Sequence, residues 1–200
     1  MKLLIMAKQI KFSEFINNID YFIQEAKKWK VFIYPTDTIY GIWWIWNEEN
    51  IKKIANIKNR DWNKMFSVIA PNFDWILKNY KTQINSINQF FDTLDILSWS
   101  KILPEFLWNQ LEQYHWVTWI FNYNKPGIRI IKHDFQKFVE KLWEWFITTS
   151  VNIAWEDSIT DLSKLSPEIK DKVDYIVDAW ICDWKPSVLL DFVWDKVIER

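Results

Sequence analysis

Three short stretches of the chain concentrate side chains suited to holding a small charged molecule. Residues 34–41 read YPTDTIYG, an apolar strand end followed by hydroxyls, a carboxylate and a glycine. Such a loop can present Thr36 and Thr38 to a polar ligand, with Gly41 letting the backbone approach closely. An ordinary polar turn has the same composition. Farther on, Lys58, Asn59 and Arg60 end a helical pattern and Lys64 lies one short turn beyond. Cations spaced this closely can clamp a polyphosphate, Arg by its planar fork and Lys as a point charge. They also suit a solvated basic helix end, where the helix dipole favours positive charge. The third stretch is Thr148 to Asn152, TTSVN, at the end of an apolar run. Alternation along a strand would point Thr148, Ser150 and Asn152 to one side. Ligands in open α/β sheets bind at strand ends, but a capped strand end without a ligand also fits.

The intervening pattern supplies elements to position these groups. Phe15, Ile16, Ile19, Phe22, Ile23 and Ala26 fall at helical spacing, predicting a helix over Phe12–Lys28 with Ser13 as its N-cap. Val31–Tyr34 is a short apolar run, read as a buried strand that Pro35 ends. Asn47 can cap a helix reaching about Lys58, with Ile51, Ile54 and Ala55 on one face. Phe66–Ala70 reads as a strand, Asn72 opens another helix, and Phe73–Gln113 is largely helical in pattern. Val117–Tyr123 and Ile128–Ile131 are predicted strands on either side of the turn signal Lys125, Pro126, Gly127. A helix follows from about Asp134, then a strand into Thr148–Ser150. Ser166 with Pro167 marks a further helix start, Tyr175–Val177 and Val188–Phe192 are strands, and Val197–Ile198 is a last one. Interleaved helices and strands without repeat or linker predict one α/β domain over residues 1–200, with a twisted mixed sheet flanked by helices.

Composition narrows the class. In 200 residues, 25 Lys and Arg against 26 Asp and Glu give a net charge of −1. Nothing in that balance draws the chain as a whole to nucleic acid. The single cysteine, Cys182, supplies neither an internal disulfide nor a zinc cluster, and the opening apolar run is too short for a signal peptide or membrane span. The expected compartment is the cytoplasm.

One ratio is abnormal: the chain has 2 glycines and 16 tryptophans. Average usage would give a chain of this length about 14 glycines. Tryptophan occupies places typical of glycine, such as Trp29 between two lysines before a strand, the cluster Trp43, Trp44 and Trp46, and Trp62 between Asp61 and Asn63. One reading is an aromatic surface for stacking bases or packing a partner. The other is a UGA codon that the source organism reads as glycine and that is translated here as tryptophan. The abundance of Lys, Asn and Ile, as in AT-rich genomes, favours the second.

Taken together, the segments resemble the YrdC-like threonylcarbamoyl-AMP synthase family. Its opening pattern, a glycine, an apolar strand and PTDT-x-YG-x-G, corresponds to Trp29 through Trp43. Its K-x-R block with a later basic position corresponds to Lys58, Arg60 and Lys64, and its S-x-N block to Ser150 and Asn152. Its closing block, a glycine, a PS-T-x-x-D pattern and a terminal arginine, corresponds to Trp184, Pro186, Ser187, Asp191 and Arg200. Trp29, Trp43, Trp155 and Trp184 all fall where that pattern has glycine. The resemblance runs over nearly the whole chain in order.

What the resemblance implies is a YrdC-like fold and a nucleotidyl transfer. L-Threonine and bicarbonate form a carbamate, its oxygen attacks the α-phosphate of ATP, and pyrophosphate leaves. The product, threonylcarbamoyl-adenylate, passes to threonylcarbamoyl-transfer proteins for modification of tRNA. By the same resemblance ATP contacts Lys58, Arg60, Lys64, Ser150, Asn152 and Arg200. Threonine lies against Thr38, Arg129, Thr148 and Ser187. Mg2+ is expected with the triphosphate, and no residue is singled out as a catalytic nucleophile or base. Departures from the pattern are His115 and Trp116 in place of a PG pair, Asp61 and Ile131 in place of prolines, and Val188 in place of threonine. His115 and His133 are read as packing or surface residues. The competing class is a non-catalytic binder of double-stranded or structured RNA. The near-neutral charge counts against it, because phosphate-driven affinity scales with the cations engaged.

Overall fold

The computed structural model describes residues 7–45, 47–59, 66–72, 74–76, 78–79, 117–120, 127–131, 133–153, 156–182, 188–191 and 196–198, the side chains of 117–120 and of 188–198 excepted. The strands are β1 (Lys8–Lys11), β2 (Phe32–Tyr34), β3 (Gly41–Ile45), β4 (Ser67–Ile69), β5 (Val117–Ile120), β6 (Gly127–Arg129), β7 (Phe146–Ser150), β8 (Tyr175–Asp178), β9 (Val188–Asp191) and β10 (Lys196–Ile198). They form one sheet in the order β1-β8-β2-β3-β7-β4-β6-β5-β9-β10. The sheet is mixed as predicted: β1 and β2 run parallel to β8, whereas β3 runs antiparallel to both β2 and β7.

The helices are α1 (Phe12–Asn17), α2 (Ile19–Lys27), α3 (Glu48–Ile57), α4 (Gln136–Leu142) and α5 (Pro167–Lys170), with a 3-10 turn at Leu162–Lys164. They divide between the two faces of the sheet. On one face Phe15, Phe22 and Phe138 from α1, α2 and α4 pack on Phe32, Tyr34, Trp43 and Phe146. On the other, Ile51, Ile54 and Ile57 from α3 and Ile169 from α5 cover Ile33, Ile42, Trp44 and Ile147. The first face is rich in aromatic rings: Phe15 stacks on Phe22 at 4.9 Å and on Phe135 at 5.2 Å, and Trp43 on Phe146 at 4.2 Å. Burial of each such ring contributes about 1.5–3 kcal/mol.

Where capping chemistry was written in the sequence, the helices start as predicted. Asn47 Oδ1 accepts the Asn50 N–H at 2.7 Å, and Ser166 Oγ accepts the Ile169 N–H at 3.3 Å, with Pro167 in the first turn. Asn72 Oδ1 accepts the Trp75 N–H at 2.9 Å, opening the helical residues 74–76, while residues 80–113 of that expected helix lie outside the described residues. The helix expected over Phe12–Lys28 is two helices. The chain breaks at Asn18, whose φ of −123° leaves the helical region and whose side chain donates to Glu14 O at 2.8 Å. Ser13 lies inside α1 and is not its cap; Lys11 holds that position without a side-chain capping bond. Two strands were missed. β1 is the short polar KQIK, exposed except at Ile10 and paired among the described strands with β8, and β3 begins at the glycine of the YPTDTIYG segment.

Candidate functional site

The YPTDTIYG segment joins β2 to β3, and its hydroxyls divide their work. Thr36 Oγ1 donates to Ile39 O at 2.7 Å and accepts the N–H groups of Thr38 and Ile39 at 3.0 and 3.1 Å. Its one proton and its lone pairs thereby fold the loop on itself, so Thr36, expected to face a ligand, is instead the loop's internal brace. Thr38 faces elsewhere. Its hydroxyl accepts from Arg129 Nη1 at 3.0 Å and lies 3.1 Å from Thr36 Oγ1.

Arg129, the last residue of β6, reaches this loop from four strands away along the sheet order. Its Nη2 pairs with Asp37 Oδ1, and both side chains are only 7% exposed. Arg129 Nε has no hydrogen-bond partner among the described residues although it is fully buried. A guanidinium has five donors in a fixed fork, so a buried unmatched N–H beside two matched groups is a position for one more acceptor. Tyr34 completes the cluster. Its hydroxyl lies 2.7 Å from Thr148 Oγ1, and Thr148 donates onward to Ile42 O at 3.3 Å, so Tyr34 is the donor of the pair. Burial pushes the Tyr34 phenol well above its ordinary pKa, which keeps that proton in place.

A second polar cluster forms where α3 ends. Lys58, the C-cap of α3 and 3% exposed, aims its ammonium at the end of β7. It donates to Ser150 O and, at 2.9 Å, to Asn152 Oδ1, and lies 3.5 Å from Ser150 Oγ. Ser150 Oγ donates to the same Asn152 oxygen at 2.6 Å, and Asn152 Nδ2 donates to Glu156 O at 2.7 Å. Lys58 and Ser150 are 92 positions apart in sequence and meet because α3 packs over the sheet beside β7. The two clusters adjoin. Gly41, which closes the loop, pairs with Ser150, and Trp43 pairs with Thr148, on neighbouring strands.

Several residues expected in the site are therefore together: Lys58 with Ser150 and Asn152, Arg129 with Thr38, and Thr148 at their seam. Arg60, Lys64, Ser187 and Arg200 lie outside the described residues, as do Trp155 and Trp184. Two participants were not singled out from the sequence. Asp37 sits between the threonines, but nothing local tells that its partner is an arginine 92 positions away. Tyr34 reads as one more apolar strand residue until Thr148 is placed against its hydroxyl. Gly41 is also fixed by Tyr34: a Cβ there would lie 2.6 Å from Tyr34 Cε1. Beyond the site, the loop is held by Cys182, whose thiol donates to Thr36 O at 3.6 Å, and by Tyr40, whose hydroxyl donates to Trp180 O at 2.8 Å. Burial pushes the Tyr40 phenol up to about 12. His133 has its pKa lowered, burial being the main cause, and packs 5.1 Å from Phe12, in keeping with the packing role expected of it.

The described residues contain no group of three or more His, Cys, Asp and Glu placed to hold a metal ion, and no helix long and apolar enough to cross a membrane. The site's donors are ammonium, guanidinium, hydroxyl and amide groups, a chemistry for phosphate and carboxylate oxygens.

Comparison with known proteins points the same way. The family model Sua5/YciO/YrdC, described as telomere recombination, matches residues 24–199. A Methanocaldococcus jannaschii protein named as a candidate threonylcarbamoyl-AMP synthase is 29% identical over 191 residues, covering 90% of this chain and 83% of its own. A threonylcarbamoyl-AMP synthase of Pseudoalteromonas translucida is 20% identical over 171 residues, covering 84% of this chain and 89% of its own. Among solved structures, Sua5 of P. abyssi complexed with L-threonine superposes with a TM-score of 0.63 at 16% identity, covering 94% of this chain. This chain spans 54% of the length of that one.

Proposed function

The chain belongs to the Sua5/YciO/YrdC family, and on that premise we propose that it is a threonylcarbamoyl-AMP synthase, a nucleotidyltransferase condensing ATP, L-threonine and bicarbonate. The observation that carries the reading is the buried guanidinium of Arg129, with Thr38 on Nη1, Asp37 on Nη2 and an unmatched Nε–H. An amino-acid carboxylate is the acceptor that such a donor takes, with Thr38 on Arg129 and Thr148 on Tyr34 as the hydroxyls proposed to serve a threonine side chain. The relatives named for this activity support it, as does the P. abyssi Sua5 complex with L-threonine.

The nucleotide would lie against the other cluster. Lys58 offers its charge to phosphate oxygens, and Ser150 and Asn152 offer a hydroxyl and an amide. Arg60, Lys64 and Arg200 join them, and Ser187 joins the threonine side, on motif alone. Threonine's amine and bicarbonate give a carbamate with loss of water. A carbamate oxygen then forms a bond to the α-phosphorus, the bond to the β-phosphoryl oxygen breaks, and pyrophosphate departs with that electron pair. Such chemistry needs positioning and charge neutralisation more than a protein nucleophile, which fits the hydrogen-bond donors that the described residues supply. The described residues hold no group of three acidic or imidazole side chains for a divalent ion, and Mg2+ would enter on the phosphates of ATP. The product would serve tRNA threonylcarbamoylation through transfer proteins, in the cytoplasm.

The test is pyrophosphate release from ATP with each substrate omitted in turn. Release should need both threonine and bicarbonate, and valine should replace threonine poorly, because it leaves the site's hydroxyls unpaired. Equal rates with valine would overturn the threonine assignment. Salt-sensitive binding of structured RNA without any pyrophosphate release would return the reading to the non-catalytic class.

A further inference from the structure

We infer that Trp29 and Trp143 stand where the protein made in its source organism carries glycine, so that one codon translated here as tryptophan is read there as glycine. The ground is backbone geometry, independent of any family pattern. Among the described residues, three that are not glycine have positive φ: Trp29 at 64°, Asn59 at 48° and Trp143 at 55°. Asn is the residue type that tolerates this conformation after glycine, so Asn59 needs no special account. A β-carbon on a bulky side chain does not belong there, yet the other two are both tryptophan.

Each of the two positions is the left-handed residue of a helix-ending motif. After α2, Trp29 N–H donates to Ala26 O at 2.9 Å and Lys30 N–H to Glu25 O at 3.4 Å. This nested pair of bonds is the Schellman motif, with residue 29 at the position where glycine is strongly enriched. After α4, Trp143, at φ 55° and ψ 27°, donates to Val139 O at 3.1 Å, the single bond of the simpler left-handed cap. No glycine among the described residues has positive φ. Glycine is thus missing from the conformation that calls for it, and tryptophan fills it twice.

The side chains give no reason for tryptophan. Trp29 is 51% exposed and Trp143 47% exposed, so neither indole is needed to fill the core. Farther in, Trp43 and Trp44 are fully buried side by side on β3, and neither indole N–H has a hydrogen-bond partner among the described residues. A native buried tryptophan usually satisfies that donor. Chance does not supply this pattern in a chain with 16 tryptophans and 2 glycines. It follows that the exposed indoles are not a docking face for bases or a partner.

Peptides of the protein isolated from its source organism, sequenced by mass spectrometry across residues 29 and 143, decide the matter. Glycine masses at both positions are expected, with UGA codons in the gene. A tryptophan mass, or a UGG codon, at either position overturns the inference. An independent arm uses the full chain made as written and its Trp29→Gly and Trp143→Gly variants. Each glycine should raise the melting temperature by about 2–4 °C, whereas Trp→Ala at the same positions, which keeps a Cβ, should raise it less. Glycine variants no more stable than their alanine counterparts would overturn the backbone argument.

Discussion

The two polar clusters of the site are built on opposite terms. Around Arg129, a cation and an anion are both taken out of water and paired, so the arrangement is expensive to form and costly to disturb. Around Lys58, an ammonium meets a main-chain oxygen and a hydroxyl of Ser150 and the amide oxygen of Asn152. The first cluster suits strict recognition of one ligand group in one orientation. The second gathers ammonium, hydroxyl and amide groups, donors suited to phosphate oxygens. Their difference teaches that a site can divide selectivity from electrostatic attraction along a single seam, here the end of β7.

Substitutions should separate the two. Arg129→Ala removes one member of a buried ion pair, a loss that costs about 3–5 kcal/mol. Denaturant titration should show that loss, with threonine-dependent pyrophosphate release abolished. A stability change below the range for an exposed pair, about 1 kcal/mol, would deny the burial that the comparison rests on. Lys58→Ala should instead leave the fold largely intact and weaken nucleotide binding, by about 1.5–3 kcal/mol for one charge-assisted contact. Equilibrium binding of ATP measures it, and unchanged affinity in a folded variant would remove Lys58 from the site.

Gly41→Ala probes the seam itself. The added Cβ would meet Tyr34 at 2.6 Å, and the strain of such overpacking is about 1–3 kcal/mol. Because Tyr34 holds Thr148, the threonine KM should rise more than the ATP KM; equal changes would argue against separate halves. The smallest effect is expected away from both. Asp174 accepts the Val31 N–H at 2.9 Å and Lys30 Nζ at 3.0 Å. Its burial opposes ionisation, but the Val31 and lysine contacts outweigh it and hold its pKa below the ordinary value. A lowered carboxylate pKa stabilises the fold fully above the unfolded value and loses that stabilisation as pH falls through the folded value. Asp174→Asn should therefore cost about 1 kcal/mol at neutral pH and make stability less sensitive to acid, leaving turnover unchanged. Undiminished acid sensitivity in the variant would remove Asp174 as its source.

What could be read in advance depended on whether the deciding interaction was local. Asn47 and Ser166 cap helices through bonds spanning three residues, and both starts are visible in the sequence. Lys58, Ser150 and Asn152 stand out in the sequence because their types suit phosphate and their blocks resemble a known pattern, and the fold brings the three together. β3 was not, because Trp43 and Trp44 interrupt the alternation of a strand and PTDT reads as turn. β1 was not, because KQIK has a single buried residue and exists as a strand only by pairing with β8, some 167 positions later. Asp37 as the partner of Arg129, and Thr36 as a brace and not a contact, both needed the loop's folded path.

β7 pairs with β3 on one side and β4 on the other. Its residues 148 and 150 carry one contact of each cluster, and successive same-side residues of a strand stand about 6.5 Å apart. Pairing with β3 along its whole length, and with β4 as far as Thr148, keeps the spacing of these two residues fixed, so in the proposed site the strand would act as a gauge between the group that grips an amino acid and the group that grips a phosphate. Lengthening the gauge by one residue would turn Ser150's successor away from Lys58 while leaving Thr148 in place. Ligands would then bind at either end with their reactive atoms out of reach of each other.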